Sequence, residues 1–257
     1  MNDLFVRDGF FQLERGFSFP ELKEIRAAFR DLTEHPVSGV EIIREEYSFA
    51  VRSIMGWQRV RGTLANFATD ERVLGAVRSI LGGRIEFHQT KYNPKAGNSR
   101  GEKWDPHRGD TFWCWKDGVP TSKGLLSVFI ALTDQTEGNG AVYVWKGSHV
   151  ITLDQIRPFM LGLEETKDET TKDTAADLSL QISPEKLGDI DRNFERIMLT
   201  GPAGTVWVLD AGLLHASQAN RSNDVRELVA NVFRAEGNSP RHPRPEQYLC
   251  EPTGNWL

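Results

Sequence analysis

Two histidines stand where a metal site could form. His107 lies in the segment WDPHRGDTFW, and His215 lies much later, in LDAGLLHAS. Non-haem iron is commonly held by two histidines and one carboxylate, often written as His-x-Asp or His-x-Glu with a distant second histidine. Here Gly109 stands two residues after His107, and Asp110 follows it. Either the carboxylate ligand is missing or Asp110 supplies it from a shifted position, and the two cases predict different chemistry.

Arg226 is a third candidate for the same site. It lies shortly after His215, at the start of a β-like run. A guanidinium fork at this place can hold a dicarboxylate through two parallel hydrogen bonds. The alternative interpretation is an ordinary surface arginine.

The elements that must position these side chains are short β-like runs, which begin near residue 84. They are rich in Val, Ile, Phe, Trp and Tyr and are separated by Gly, Asn and Pro turns, a pattern typical of an antiparallel sandwich or barrel. Facing strands of a barrel can bring distant histidines together. The runs are RIEFHQTKY, LLSVFIALT, AVYVW, TVWVLD and ELVANVF.

Helices are predicted before the strands. Ser18 and Glu21 form a Ser-x-x-Glu capping box, so a helix is predicted over about 20–34. A second helix is predicted over about 70–81, ending at a Gly-Gly pair. We therefore expect a mainly β protein with flanking α-helices.

The domain organisation follows from this pattern. We expect a helical N-terminal part over about 1–83 and a β core over about 84–235. There is no internal repeat and no clear linker, so 1–257 is predicted to be a single domain. The polar, Thr-rich stretch over 164–177 has no periodicity and is either a solvated loop or a lid over the site.

Composition limits the possible partners and the location. In 257 residues, 39% are hydrophobic, which is enough for a sizeable core, and the net charge of -5 provides no global basic face for nucleic acid. The two cysteines, Cys114 and Cys250, do not make a disulfide framework. No apolar run approaches the length of about 18 residues that a membrane-spanning helix needs. We expect a cytoplasmic protein with no nucleic-acid or membrane partner.

Ordered blocks of the sequence resemble a known family. KYNPKAGN, PHRGDTFW, DGVP, LSVFIALTD, NGAVYVWKGSH and GTVWVLDAGLLHAS, followed by Arg226, have the order and spacing of the phytanoyl-CoA dioxygenase-like Fe(II)/2-oxoglutarate oxygenases. The resemblance covers roughly 85–235. It implies a double-stranded β-helix, the jelly-roll or cupin-like core, with iron at one mouth.

Position 109 narrows the resemblance. Family members that combine His-x-Asp with a later turn like DGVP have their carboxylate ligand where this sequence has Gly109. Asp110 is then the next residue and not the ligand. Ala or Gly at that position is typical of the iron-dependent halogenases, and HRGDTF is similar to their block. Glycine has no side-chain oxygen, so it leaves a coordination position for an anion the size of chloride.

The resemblance assigns roles to individual residues. His107 and His215 are the iron ligands and, with Gly109, the catalytic positions; Arg226, with Gln89 and Asn93, holds 2-oxoglutarate. The halide pocket is assigned to Gly109, Phe112, Ser127 and Arg234. The substrate side is assigned to Asp110, Trp104, Trp113, Arg59 and Arg61. The implied cofactors are Fe(II), 2-oxoglutarate and chloride, with O2 as co-substrate.

Three functions stay open at this point. In a halogenase, 2-oxoglutarate is decarboxylated to succinate, hydrogen is removed from an unactivated carbon, and the substrate radical takes the halogen. In a hydroxylase or related oxidase, Asp110, another carboxylate or water fills the third position. The last function is a non-enzymatic binding protein on a decayed oxygenase scaffold, against which the intact His107, His215 and Arg226 argue.

The substrate is predicted from length and from aromatic and basic residues. The chain is short beside halogenases that act on carrier-tethered amino acids, so we expect a free small molecule and no carrier protein. Tryptophans near arginines suit a flat ring with an anionic group, such as a nucleotide, ahead of an amino acid or an alkaloid. The alternative is that these tryptophans are core residues and the arginines are solvated.

Overall fold

A computed structural model describes residues 3–98, 100–162, 180–241 and 257. The predicted loop or lid over 164–177 lies outside these residues. Within the described segments, every helix is too short or too polar to cross a membrane.

The described helices and strands alternate irregularly along the chain. The helices are α1 (Asp3–Asp8), α2 (Phe19–Glu34), α3 (Thr63–Ala68), α4 (Glu71–Leu81), α5 (Gly109–Trp115), α6 (Leu153–Ile156) and α7 (Pro184–Asn193). The strands are β1 (Phe10–Gln12), β2 (Glu41–Arg44), β3 (Val51–Met55), β4 (Ile85–Lys95), β5 (Trp104–His107), β6 (Leu125–Ala131), β7 (Val142–Trp145), β8 (Met160–Leu161), β9 (Gln181–Ile182), β10 (Arg196–Met198), β11 (Val206–Asp210), β12 (His215–Ser217) and β13 (Arg226–Ala235).

Two antiparallel sheets form the body of the molecule. The larger sheet has the strand order β1-β11-β6-β13-β4-β3-β2, and the smaller has the order β10-β7-β12-β5. The non-sequential order within both sheets is that of a jelly roll, so the predicted mainly β fold with flanking helices and a double-stranded β-helix core is confirmed. A separate ribbon joins β8 to β9.

Alternation along the large sheet separates two apolar layers. In β6, Val128 and Ile130 belong to the layer beneath α2 and α4, whereas Phe129 and Ala131 belong to the layer facing the small sheet. Successive strand residues point to opposite faces, so a fully apolar strand is buried on both sides. Apolar side chains of both sheets therefore line the space between them.

The two predicted helices are confirmed. α2 begins one residue before the predicted start and α4 one residue after it, and both helices end where predicted. The carboxylate of Glu21 accepts from the backbone N–H of Ser18 at 2.6 Å at the start of α2. Asp70 caps α4 by accepting from the N–H of Arg72 at 2.9 Å. Both caps satisfy donors that the first helical turn leaves free.

The expectation of a helical part over 1–83 is incomplete. This segment also contains β1, which pairs with β11, and β3, which pairs with β4. These strands extend the large sheet at both edges. They were missed because β1 has three residues and β2 and β3 lack the strict alternation that identifies a half-buried strand. A single domain over 1–257 remains a prediction.

Candidate active site

Strand pairing places the two histidines side by side. β5 and β12 are antiparallel neighbours, and His107 pairs with His215 in their register. The two imidazole centroids lie 4.3 Å apart. The Nδ1 of His107 donates to the carbonyl of Asp105 at 2.6 Å, and the Nδ1 of His215 donates to that of Leu213 at 2.9 Å. These bonds fix the tautomers and leave both Nε2 atoms able to bind a metal.

Both imidazoles are held neutral. Desolvation lowers the pKa of His107 well below its ordinary value, and nearby His215 lowers it further. Desolvation also lowers the pKa of His215 to about 4, with a smaller contribution from Lys91. A neutral imidazole has the lone pair that a transition metal requires, so the two rings fit an iron ion.

A cavity between the sheets opens onto the two histidines. Its wall is mainly apolar and aromatic, with a few polar groups, which is the usual make-up of a small-molecule site. The lining residues include Met55, Gln89, Lys91, Asn93, Trp104, His107, Gly109, Phe112, Trp113, Asp117, Ser127, Phe129, His215, Ser217, Arg226, Leu228 and Val232.

Gly109 offers no ligand, and Asp110 is committed elsewhere. Asp110 is fully buried and accepts from the guanidinium of Arg108 at 2.8 and 3.0 Å. Its N–H donates to the carbonyl of Ala211 at 3.0 Å, and its carboxylate packs beneath Gly212. Asp110 therefore ties the start of α5 to the turn before β12. Asp110 is not among the residues that line the described cavity, so its prediction as a substrate contact is corrected.

No third protein ligand completes the pair in the part of the chain that the structure describes. These described residues contain no cluster of three His, Cys, Asp or Glu side chains that could hold a metal. The hydroxylase interpretation with Asp110 as the third ligand is therefore not supported by the geometry.

Arg226 has the features of a ligand-binding arginine. It is 1% exposed and donates to the carbonyls of Asn93 at 3.4 Å and Gly140 at 3.1 Å. Among the described residues its Nε has no hydrogen-bond partner, and neither has the Oδ1 of Asn93. Burial alone lowers the pKa of Arg226 to about 9. A buried cation without a carboxylate partner fits a dianion such as 2-oxoglutarate.

Most of the predicted site residues lie on the cavity wall. Alternate residues of β4 face it, and so do alternate residues of β13 from Arg226 onward, as the two-residue period of a strand requires. The predicted residues found there are His107, Gly109, His215, Arg226, Gln89, Asn93, Phe112, Ser127, Trp104 and Trp113. Their individual roles remain predictions.

Three other predicted residues are not part of the described wall. Arg234 is buried, but its guanidinium binds the carboxylate of Glu86 at 2.6 and 3.0 Å, and neither residue lines the described cavity. Arg59 donates to the carbonyl of Gly39 at 3.2 Å, and both Arg59 and Arg61 are exposed. The halide role of Arg234 and the substrate roles of Arg59 and Arg61 are corrected, because closeness in sequence did not place them at the site.

Sequence reasoning gave no role to several residues of the wall. Ser217 lies two residues after His215 on the same face of β12, and Leu228 lies two residues after Arg226 on one face of β13. The strand period was the signal that could have identified them. Asp117 could not be found in this way, because it reaches the cavity from the turn after α5.

The phytanoyl-CoA dioxygenase (PhyH) family model matches residues 5–228. The chain belongs to this family. The family match includes the small sheet, the large sheet except most of β13, both histidines and Arg226, so the site described above is the site of a PhyH-family protein. This supports the family resemblance over a longer part of the chain than 85–235.

Relatives in the family are named as dioxygenases and hydroxylases. The PhyH-family chain is 32% identical over 258 residues to an ectoine dioxygenase of Bordetella parapertussis, covering 94% of this chain and 79% of the relative. It is 29% identical over 245 residues to an L-proline trans-4-hydroxylase of Streptomyces griseoviridis, covering 95% and 88%. These names favour oxygen transfer in the relatives.

A solved structure supports the same fold. The structure of EctD from S. alaskensis with 2-oxoglutarate and 5-hydroxyectoine has a TM-score of 0.77 and 26% identity, covering 96% of this chain and 81% of that one. Another structure of EctD from S. alaskensis contains bound Fe, with a TM-score of 0.75 and 26% identity over 93% of this chain and 77% of that one.

Proposed function

We propose that this PhyH-family protein is an Fe(II)- and 2-oxoglutarate-dependent halogenase of a free small molecule. The observation that carries the proposal is Gly109: it stands at the ligand position after His107, while Asp110 is buried in an ion pair with Arg108. Among the described residues, iron is therefore offered two neutral imidazoles, and no carboxylate joins them in a cluster that could hold a metal. Iron bound there, with 2-oxoglutarate and O2, supplies an oxidant able to remove hydrogen from an unactivated carbon.

The balanced reaction needs an added anion. Substrate C–H, chloride, a proton, 2-oxoglutarate and O2 give substrate C–Cl, succinate, CO2 and water. A carboxylate at position 109 and a chloride ion would compete for the same volume and charge, so glycine favours the halide. Phe112 and Ser127 lie on the wall beside Gly109 and are the proposed halide contacts.

Arg226 is the proposed 2-oxoglutarate anchor. The guanidinium is desolvated, so a carboxylate placed against it makes a strong, charge-assisted pair. Asn93 and Gln89 line the same cavity wall. Ser217 also lines this wall, and its hydroxyl oxygen accepts a hydrogen bond from the Nζ of Lys95 at 2.8 Å. The EctD structure with 2-oxoglutarate, from a relative of the same fold, supports a 2-oxoglutarate site in this fold.

The substrate end of the cavity is basic and aromatic. The Nζ of Lys91 lies 3.7 Å from the centroid of the Trp104 ring, and the guanidinium carbon of Arg52 lies 3.9 Å from it. Arg52 is neutralised by Glu45, at 3.0 and 3.1 Å. Lys91 lies on the cavity wall, where Arg52 does not, and is the proposed contact for an anionic group of the substrate, either a phosphate of a nucleotide or the carboxylate of an amino acid.

A hydroxylase is the second candidate. The names of the relatives favour it, because they are dioxygenases and a hydroxylase. In that case water takes the third position, and the product gains oxygen in place of chlorine. The same site and the same cofactors serve both reactions, so the halide response separates them.

The deciding experiment is a chloride titration without substrate. Under anaerobic conditions, Fe(II) and 2-oxoglutarate are added to the protein, and the weak visible charge-transfer band is recorded while chloride rises in sulfate buffer. A saturable change in the band is expected for a halogenase. A normal band that is indifferent to chloride would make the hydroxylase the better interpretation. Absence of any band would favour a non-enzymatic protein.

Matched variants make the titration specific. Arg226→Met is expected to lose the band at moderate 2-oxoglutarate concentration. Gly109→Asp is expected to lose the chloride response, because a Cβ at position 109 overlaps the Trp113 ring, so the added side chain disturbs the proposed halide volume whether or not it reaches the metal. Product analysis by mass spectrometry, with nucleotides and free amino acids as acceptors, then distinguishes chlorine from oxygen incorporation.

A further inference from the structure

Glycine at position 109 is not required by the backbone. Gly109 is the first residue of α5 and lacks the positive φ that several other glycines of this chain adopt. An L-residue could therefore take this conformation without strain. The reason for glycine must be the space around its Cα.

That space is filled by one side chain. A Cβ built on Gly109 would overlap Cη2 and Cζ3 of the Trp113 indole and come within 3.0 Å of its Cζ2. Trp113 is one helical turn further along α5, so its ring lies back over Gly109, as helical side-chain directions favour. Both residues line the cavity beside His107.

The indole is fixed from its other side. His88 contacts Trp113 edge-on, with centroids 5.6 Å apart and planes at 71°. His88 is fully buried and bonds Asp117 at 3.3 Å and Arg234 at 3.4 Å, and Arg234 is held by Glu86 at 2.6 Å. A ring backed by a buried polar chain cannot move aside cheaply, since packed interiors have few alternative arrangements.

We propose that Trp113 is the specificity-determining residue that keeps the third ligand position closed to side chains. This rests on the proposed function: the indole excludes any carboxylate introduced at position 109 and leaves room for a monoatomic anion. Arg234 then acts on the halide site through His88 and Trp113 and does not contact the halide. A substitution at position 109 alone should therefore fail to build a complete iron triad.

The first test measures metal affinity without catalysis. Co(II) is titrated into Gly109→Asp, Trp113→Phe and the double variant in chloride-free buffer, because its visible spectrum reports the ligand set. Phenylalanine keeps an aromatic ring but lacks the outer edge that overlaps the Cβ. Each single variant is expected to stay within about threefold of the wild type, and the double variant to bind about tenfold more tightly, a coupling typical of residues in contact.

The second test measures stability in the metal-free protein. Gly109→Ala is expected to lower Tm by about 4 to 8 °C through overpacking, and to lower it much less in the Trp113→Phe background. Gly75→Ala in α4 is the matched control, because nothing lies within 4 Å of a Cβ built there. It should have the same small effect in both backgrounds.

The results separate this inference from the proposed function. If Gly109→Asp alone bound Co(II) as tightly as the double variant, or if the double variant gained nothing, Trp113 would not control the position. An equal loss of Tm from Gly109→Ala in both backgrounds would also overturn the inference. Coupling without a chloride response in the wild type would instead reject the halogenase and keep the steric role of Trp113.

Discussion

Two buried arginines on β13 have opposite surroundings. Arg226, at the first position of the strand, contacts only backbone carbonyls among the described residues, whereas Arg234, near its end, is paired with Glu86. Both are almost completely inaccessible to solvent. A buried charge is costly unless it is paired, so the paired arginine stabilises the fold and the other one is poised to receive a ligand. The two residues differ in their partners and not in their burial.

The largest expected effect comes from removing the paired arginine. Arg234→Met leaves the carboxylate of Glu86 buried without its partner, which should cost about 3 to 5 kcal/mol of unfolding free energy. Urea denaturation measures this loss. Adding Glu86→Gln should recover a large part of it, and the rise in Tm caused by 2-oxoglutarate with Mn(II) should persist. An unchanged unfolding free energy in Arg234→Met would show that Arg234 does not stabilise the fold and so does not differ from Arg226 in this respect.

Arg226→Met should show the opposite pattern. It removes the 2-oxoglutarate anchor and should weaken binding by about 2 to 5 kcal/mol, or at least about 30-fold, as for other buried charge pairs that lose one partner. Stability should not fall, because an uncompensated buried cation is replaced by an apolar chain of similar length. Titration of 2-oxoglutarate against Tm with Mn(II) measures the first effect, and urea denaturation the second. A loss of stability with intact binding would assign Arg226 to the fold.

Asp110→Asn tests whether the ion pair of Arg108 with Asp110 stabilises the fold, as the pair of Arg234 with Glu86 does. The substitution weakens two hydrogen bonds to a charged group and should cost about 1.5 to 3 kcal/mol of unfolding free energy. Co(II) affinity should fall only modestly, because Asp110 connects the start of α5 to the turn before β12 and is not expected to bind the metal. A complete loss of Co(II) binding with unchanged stability would instead make Asp110 a ligand.

Lys95 gives the smallest effect and a pH signature. Burial lowers its pKa to about 5, with Arg226 as the next cause. Between pH 5 and the ordinary lysine range near 10.5, the unfolded chain binds a proton that the folded protein does not, so stability rises with pH over this window. Lys95→Met should flatten this part of the stability curve and add about 1 kcal/mol at pH 7. Identical slopes in both proteins would show that Lys95 is charged when folded.

The sequence predicted the strands of the core better than the direction of the side chains. The runs that became β4, β6, β7, β11 and β13 are long or strongly apolar, so their composition was enough to identify them. The short strands β1, β5 and β12 exist because neighbouring strands pair with them, and no local pattern records that.

The predicted site residues also fall into those that the fold brings to the cavity and those that it does not. His107, Gly109 and His215 were predicted from the family resemblance, and the pairing of β5 with β12 brings the two histidines together. Arg59 and Arg61 were predicted from proximity in sequence, yet they lie on the exposed surface. Overlap of Trp113 with a Cβ at position 109 depends on one ring orientation, which no sequence pattern encodes.

The direct pairing of His107 with His215 has a consequence for biosynthesis. Their strands are separated by most of the core in sequence, and closing such a loop is among the slower steps of folding. No partly made chain can present both imidazoles until β12 has left the ribosome and joined β5. Because both imidazoles are the proposed metal ligands, we expect acquisition of the metal to be a late event, so the rate of iron uptake by refolding protein should report when the small sheet closes.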